Sequence, residues 1–155
     1  MGYSEEDIIE KQSRLALDAI EELFPSNGLM HKTVAHESHF GRHPNTFRPG
    51  YYGGVAQVDP IGFEDTRDTD AHPGLRKKYD QIRQHFGINW EDVQYADLVD
   101  PLHSILAGRL RYMNVPERVP EDRLGQARYW KQHYNTEAGK GTPEKFLKSI
   151  NKFEI

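Results

Sequence analysis

The chain has 155 residues, no cysteine and a formal net charge of -4; 36% of its residues are hydrophobic and the mean hydropathy is -0.82. That length suits one domain with a modest core. It leaves no disulfide framework or thiolate metal site, and no apolar run approaches the ~20 residues of a membrane span. The acidic balance argues against nucleic acid as a partner and does not steer the protein toward an anionic polymer.

Taken in order, the stretch Met1-Gly2-Tyr3-Ser4-Glu5-Glu6 has no apolar leader, and Glu6 stands where a myristoylation signal needs Ser or Thr. Ser4 caps a first helix whose acids Glu5, Glu6 and Asp7 suit the positive end of its dipole. Ile8, Leu15, Ile20 and Leu23, with Ala16 and Ala19, form its apolar stripe, and Phe24-Pro25 ends it. A second helix is expected from Leu29 to Phe40, closed by Gly41. Residues 42–60 are rich in breakers (Pro44, Pro49, Gly50, Gly53, Gly54, Pro60) and read as an irregular loop or small β-element. Pro60 starts a short helix.

Further on, a polar helix over Leu75–Phe86 carries Leu75, Tyr79, Ile82 and Phe86 on one face and stops at Gly87. Asn89 is placed to cap another helix from Trp90. Asp100-Pro101 opens the most apolar helix, with Leu102, Ile105, Leu106, Leu110 and Met113, which reads as the centre of the core. A helix over 121–134 puts Leu124, Ala127 and Trp130 on related faces. Thr142-Pro143 caps and begins the last, which carries Phe146, Leu147, Ile150 and Phe153. The expected fold is mainly α, one domain over 1–155 of about seven helices with a small β or loop element. Late basic residues (Arg109, Arg111, Arg118, Arg123, Arg128, Lys131) read as solvated helix faces or as a rim touching substrate carboxylates.

The chemistry concentrates at His36-Glu37-Ser38-His39-Phe40-Gly41 and Gly53-Gly54-Val55-Ala56-Gln57-Val58-Asp59-Pro60. Glu37 ends a helix beside Leu29, Met30, Val34 and Phe40, surroundings that desolvate a carboxylate and raise its pKa. A carboxylic acid protonated near neutrality is what glycosidic cleavage needs as a proton donor. His36, His39 and His43 share a helical face if the helix extends that far, but Gly41 and Pro44 interrupt it, and the His-Glu-x-x-His zinc pattern fails because Phe40 stands at the second His. No metal or cofactor is expected.

Glu37-Ser38-x-Phe40 followed by Gly54-Val55-Ala56-Gln57-Val58-x-Pro60 resembles the Glu-Ser and Gly-Leu-Met-Gln-x-x-Pro motifs of the soluble lytic transglycosylases, in the lysozyme-like superfamily. Asp100-Pro101-x-x-Ser104-Ile105-x-Ala107-Gly108-x-Leu110-x-Tyr112 resembles the helix behind that family's cleft, and Tyr134-Asn135 its Tyr-Asn motif; the likeness spans 29–141. Ala56 replaces the usual Met, the interval from Gln57 to Asp100 is long, and the alanine-rich run before Tyr-Asn is absent.

The resemblance implies an α+β lysozyme-like fold and cleavage of the β-1,4 bond between N-acetylmuramic acid and N-acetylglucosamine. Glu37 would act as both acid and base, closing the muramic 6-hydroxyl onto C1. It also places Ser38, Gln57, Tyr134, Asn135 and Tyr52 at the substrate. Gln57 would meet an acetamido group or be a loop Gln bonded to its own backbone; Tyr134 would donate to Glu37 or substrate, or pack in the core; Ser38 would orient the carboxyl or bond back to its helix. Asp59 and Asp65, with Glu64 and Asp68 nearby, are candidate second carboxylates for the alternative, a muramidase that uses water. A non-catalytic phage structural or wall-binding protein of the same fold is the other class. The expected partners are peptidoglycan glycan strands and, for a virion component, other virion proteins. The protein is expected to be a monomer made in a host cytoplasm without a signal peptide and to act on the bacterial cell wall.

Overall fold

The computed structural model describes residues 4–136 and 139–155; Met1, Gly2 and Tyr3, part of the stretch read for a leader, lie outside the described residues. Seven α-helices and no strand are found among the described residues: α1 Glu5–Leu23, α2 Leu29–Ser38, α3 Pro60–Asp65, α4 Leu75–Phe86, α5 Pro101–Met113, α6 Arg123–Trp130 and α7 Pro143–Lys152. Three short 3-10 turns (Gly54–Ala56, Trp90–Asp92 and Tyr95–Val99) and a π turn (Lys131–Asn135) join them. The mainly α expectation holds, and residues 42–53 are turns rather than a β-element.

Helix starts follow their capping residues. Ser4 and Asp7 exchange side-chain and backbone hydrogen bonds in a capping box. Asp59, Asp100, Asp122 and Thr142 each accept a backbone N–H of the turn they open, and Pro follows at once in three of these four. Asn89 behaves differently: its amide turns to Asp92 rather than to the backbone, and only a 3-10 turn follows.

The buried stripe of α1 is Ser13, Ala16, Leu17 and Ile20, while Ile8 and Leu15 remain 47% and 60% exposed. The expected stripe was rotated because Leu17, not Leu15, sits three residues before Ile20 on the core face. α2 is two residues shorter than expected: His39 and Phe40 both adopt left-handed backbone, as does Gly41. The 121–134 helix likewise divides, with α6 ending at Trp130 and the π turn carrying the chain to Asn135.

α5 is the axis of the molecule. Ser104 to Leu110 is buried without interruption, and the helix packs against α1, α2, α3 and the turns Gly54–Ala56 and Tyr95–Val99. Each of Ile105, Leu106 and Leu110, fully shielded, contributes roughly 1.5–3 kcal/mol of apolar burial. Arg109 is buried as well, not solvated. Its Nε and Nη2 donate to the Phe24 and Pro25 carbonyls beyond the end of α1, at 2.9 Å each.

The Gly54–Ala56 turn lies against α5 so closely that a Cβ on Gly54, whose φ is +68°, would stand 1.9 Å from the Leu98 carbonyl oxygen and 2.8 Å from Ser104. Gly50 also has positive φ, +77°, but faces open space. Gly54→Ala should therefore lose about 3 kcal/mol or more of stability, combining strain with overpacking. Gly50→Ala should lose only about 1 kcal/mol, from strain alone. Denaturant midpoints of the two variants measure the difference.

Candidate functional site

α2 presents Thr33 and Glu37, one turn apart, to the interior. The Thr33 hydroxyl is 2.9 Å from that of Tyr112 on α5, deep in the core. Glu37 lies nearer the surface and stays partly exposed as a residue, while its carboxyl is tucked under α6, where Trp130 Nε1–H donates to Oε2 at 2.9 Å. Burial pushes the carboxyl up to about 7; the Trp130 hydrogen bond and the positive charge of Arg111, on α5, pull it back toward the ordinary range without overcoming that effect. Glu37 therefore changes protonation near neutral pH, the range in which one group can both give and take a proton.

Trp130 is itself held in place. Phe146 of α7 stacks on it, ring centres 5.1 Å apart, and His36 meets it edge-on at 4.7 Å. The other side of His36 is 2.7 Å from the Ser149 hydroxyl, through Nδ1. Burial depresses His36 to about 4, helped by the charges of His39 and Lys145, so the ring is neutral when Glu37 titrates. His36, His39 and His43 do not form a metal centre: α2 stops before His39, and no group of three His, Asp or Glu side chains fit for a metal ion gathers among the described residues.

The motif residues converge on the same region in other roles. Ser38 is fully buried; its hydroxyl donates to the Val55 carbonyl at 2.6 Å and accepts from the Gly41 N–H, so it ties α2 to the buried turn. Gln57 secures its own loop: Nε2 donates to Thr46 O at 3.1 Å and Gly54 O at 2.9 Å, and Oε1 accepts from Arg48 at 2.9 Å. Tyr134 is buried, stacks on Tyr112 and donates its hydroxyl to the Ala56 carbonyl, so it is a core strut rather than a donor to Glu37. Asn135 accepts from Lys131 Nζ, which also binds the Thr136 and Gly139 carbonyls and so closes the loop after the π turn.

Tyr52 remains 44% exposed and edge-on to Tyr95, as an aromatic platform would be. Of the candidate second carboxylates, Asp59 and Asp65 are engaged elsewhere, while Glu64 is exposed. Asp59 caps α3 through Gly62 N–H at 2.6 Å. Asp65 is held by His72 Nε2 and Asn114 Nδ2, both at 3.1 Å.

Sequence reasoning did not single out Trp130 or Arg111, and it read Tyr51, with Tyr52, as a ring to stack on sugar or an ordinary half-buried aromatic. Trp130 was read as an apolar face residue, although an indole N–H needs an acceptor when buried. Arg111 was one among several late basic residues. Tyr51, half-buried under the Arg48 guanidinium 3.6 Å from its ring centre, makes no hydrogen bond through its hydroxyl among the described residues. Burial raises that hydroxyl's pKa, and the charges of Tyr95 and Glu37 add to the effect, which places it within electrostatic reach of the acid.

Comparison with family models, curated proteins and solved structures gave no match.

Two measurements check the electrostatics. Trp130→Phe should raise the Glu37 pKa by about one pH unit, because the lost hydrogen bond favours the ionised form; NMR titration of the carboxyl reads this. Since the folded pKa of about 7 exceeds the ordinary 4.5, the unfolded chain releases this proton first, and stability falls as pH rises between those values. Glu37→Gln should match the wild type near the bottom of that window and exceed it above neutrality by up to about 3 kcal/mol. Equal stability of the two proteins at pH 8 would contradict the raised pKa.

Proposed function

We propose that the chain is a peptidoglycan glycosidase of lysozyme-like type, working as a lytic transglycosylase with Glu37 as its one acid and base. The observation that carries this reading is a carboxyl enclosed beside Trp130 and raised to about 7, on the residue that the Glu-Ser motif marks. Protonated Glu37 donates to the oxygen between N-acetylmuramic acid and N-acetylglucosamine as that bond breaks at C1. The resulting carboxylate takes the proton of the muramic 6-hydroxyl as its oxygen closes onto C1. The products are a free 4-hydroxyl and a 1,6-anhydro end; no water is consumed, and Glu37 returns protonated.

This route needs no second carboxylate, and the engagement of Asp59 at the α3 cap and of Asp65 with His72 and Asn114 favours it over hydrolysis. The clustering of Ser38, Gln57, Ser104 and Tyr134 around the Gly54–Ala56 turn gives the four motifs a common structural purpose. In this reading the protein serves lysis or penetration of a bacterial wall.

Digestion of purified peptidoglycan, with products read by mass spectrometry, tests the proposal. Wild type should release anhydromuramic ends, and Glu37→Gln should be slower by at least about 10²-fold. The rate at limiting substrate should decline as pH rises through about 7, as the acid loses its proton. Reducing ends would instead indicate a muramidase. The absence of soluble product from several wall types would favour a binding role.

A further inference from the structure

The positive charge of Arg111 acts on the acid, yet its guanidinium forms neither an ion pair nor a hydrogen bond among the described residues. It lies across the Tyr134 ring face, 5.0 Å from its centre, and its Nε is 3.1 Å from where a side chain on Gly62 would begin. Other arginines behave differently. Arg42, for example, gathers Glu6, Asp7 and Glu10, and Arg109 binds two carbonyls. Arg118 and Arg128, which also have no partner among the described residues, are exposed. Arg111 alone of these three is half-buried. A half-buried cation without a counter-charge is costly unless an anion meets it.

Arg111 opens on a hollow of about 230 Å³, shared with Gly62, Asp65, His72, Asn114 and His133. The acid in that lining is already satisfied: Asp65 takes His72 on one oxygen and Asn114 on the other. His133 pairs with Glu117 at 3.2 Å. The guanidinium is thus the charged group of the hollow that lacks a hydrogen-bond partner among the described residues, and its planar fork suits a carboxylate. The space holds a carboxylate and a few atoms, not a sugar ring pair.

We propose that this hollow is a subsite for a carboxylate carried by the substrate next to the bond that Glu37 cleaves. The inference rests on the glycosidase reading for the identity of the ligand. In a wall glycan such a carboxylate is either the lactyl group of peptide-free muramic acid or the free carboxyl of an attached peptide. A carboxylate seated there would also offset the charge that pulls Glu37 down, and so hold the acid protonated when substrate is bound.

Calorimetric binding to Glu37→Gln, which does not turn over, tests this with three probes. These are a muramic-acid disaccharide with its free lactyl carboxylate, the same disaccharide carrying a dipeptide, and an uncharged chitin disaccharide. Adding Arg111→Gln should weaken binding of a carboxylated probe by at least about tenfold and leave the chitin disaccharide unchanged. Whichever carboxylated probe shows the loss identifies the source.

Esterifying the probe's carboxyl should produce the same loss on protein that keeps Arg111, so the result stands even if the double variant does not fold. Equal weakening of all probes, or no binding of the carboxylated ones at millimolar concentration, overturns the subsite. A failed subsite with anhydro product still formed leaves the glycosidase intact. Carboxylate binding that needs Arg111, without any turnover by wild type, retains the subsite and removes the glycosidase.

Discussion

A buried turn must satisfy its backbone polar groups without water, and the Gly54–Ala56 turn does so by drawing three helical segments together. Ser38 at the end of α2 donates to the Val55 carbonyl at 2.6 Å. Ser104 on α5 accepts the Ala56 N–H at 2.9 Å and donates to the Gly53 carbonyl at 2.8 Å. Tyr134 in the π turn donates to the Ala56 carbonyl. Each of these bonds joins residues far apart in sequence, so the turn fixes where α2, α5 and the segment after α6 meet. Glu37 sits on α2 and Trp130 ends α6, directly before the π turn, so their hydrogen bond depends on that fixing.

The acid illustrates an imbalance held on purpose. Burial raises its pKa, while Trp130 and Arg111 oppose the rise. A stronger cationic partner would leave Glu37 ionised near neutrality, and an apolar surround without Trp130 would keep it protonated well above. Neutral His36 adds bulk and a hydrogen bond to Ser149 without adding a competing charge. The arrangement lowers stability at neutral pH and supplies a proton donor there, a trade in which packing elsewhere, chiefly along α5, must compensate.

Much of this was legible before any coordinates. Ser4, Asp100-Pro101, Thr142-Pro143 and Gly87 mark helix ends because capping is a local affair, settled within four residues. Glu37, Ser38, Gln57 and Tyr134 were singled out and do gather in space. For Ser38, Gln57 and Tyr134 the reading left a substrate role and a structural one side by side, because a hydroxyl or amide reveals what it can bond but not which carbonyl the fold brings to it. The same limit hid Trp130: its partner is 93 residues away. The α1 stripe was misplaced for a different reason. Apolar residues occupy both faces of that helix, and its packing against α5 and α2 decides which face is covered.

That dependence of α1 on α5 has a consequence for how the chain is made. The first helix emerges from the ribosome with Leu17 and Ile20 on its bare face; α2 packs against part of α1, and the larger packing partner arrives with residues 101–113. α2 and the glycine-rich turn wait for the same helix, since Ser104 satisfies the turn. Until α5 follows, the nascent protein therefore carries an amphipathic segment that is only partly covered. Slow translation between α1 and α5 would lengthen that exposed interval, and with it the time in which the uncovered face of α1 can meet other chains.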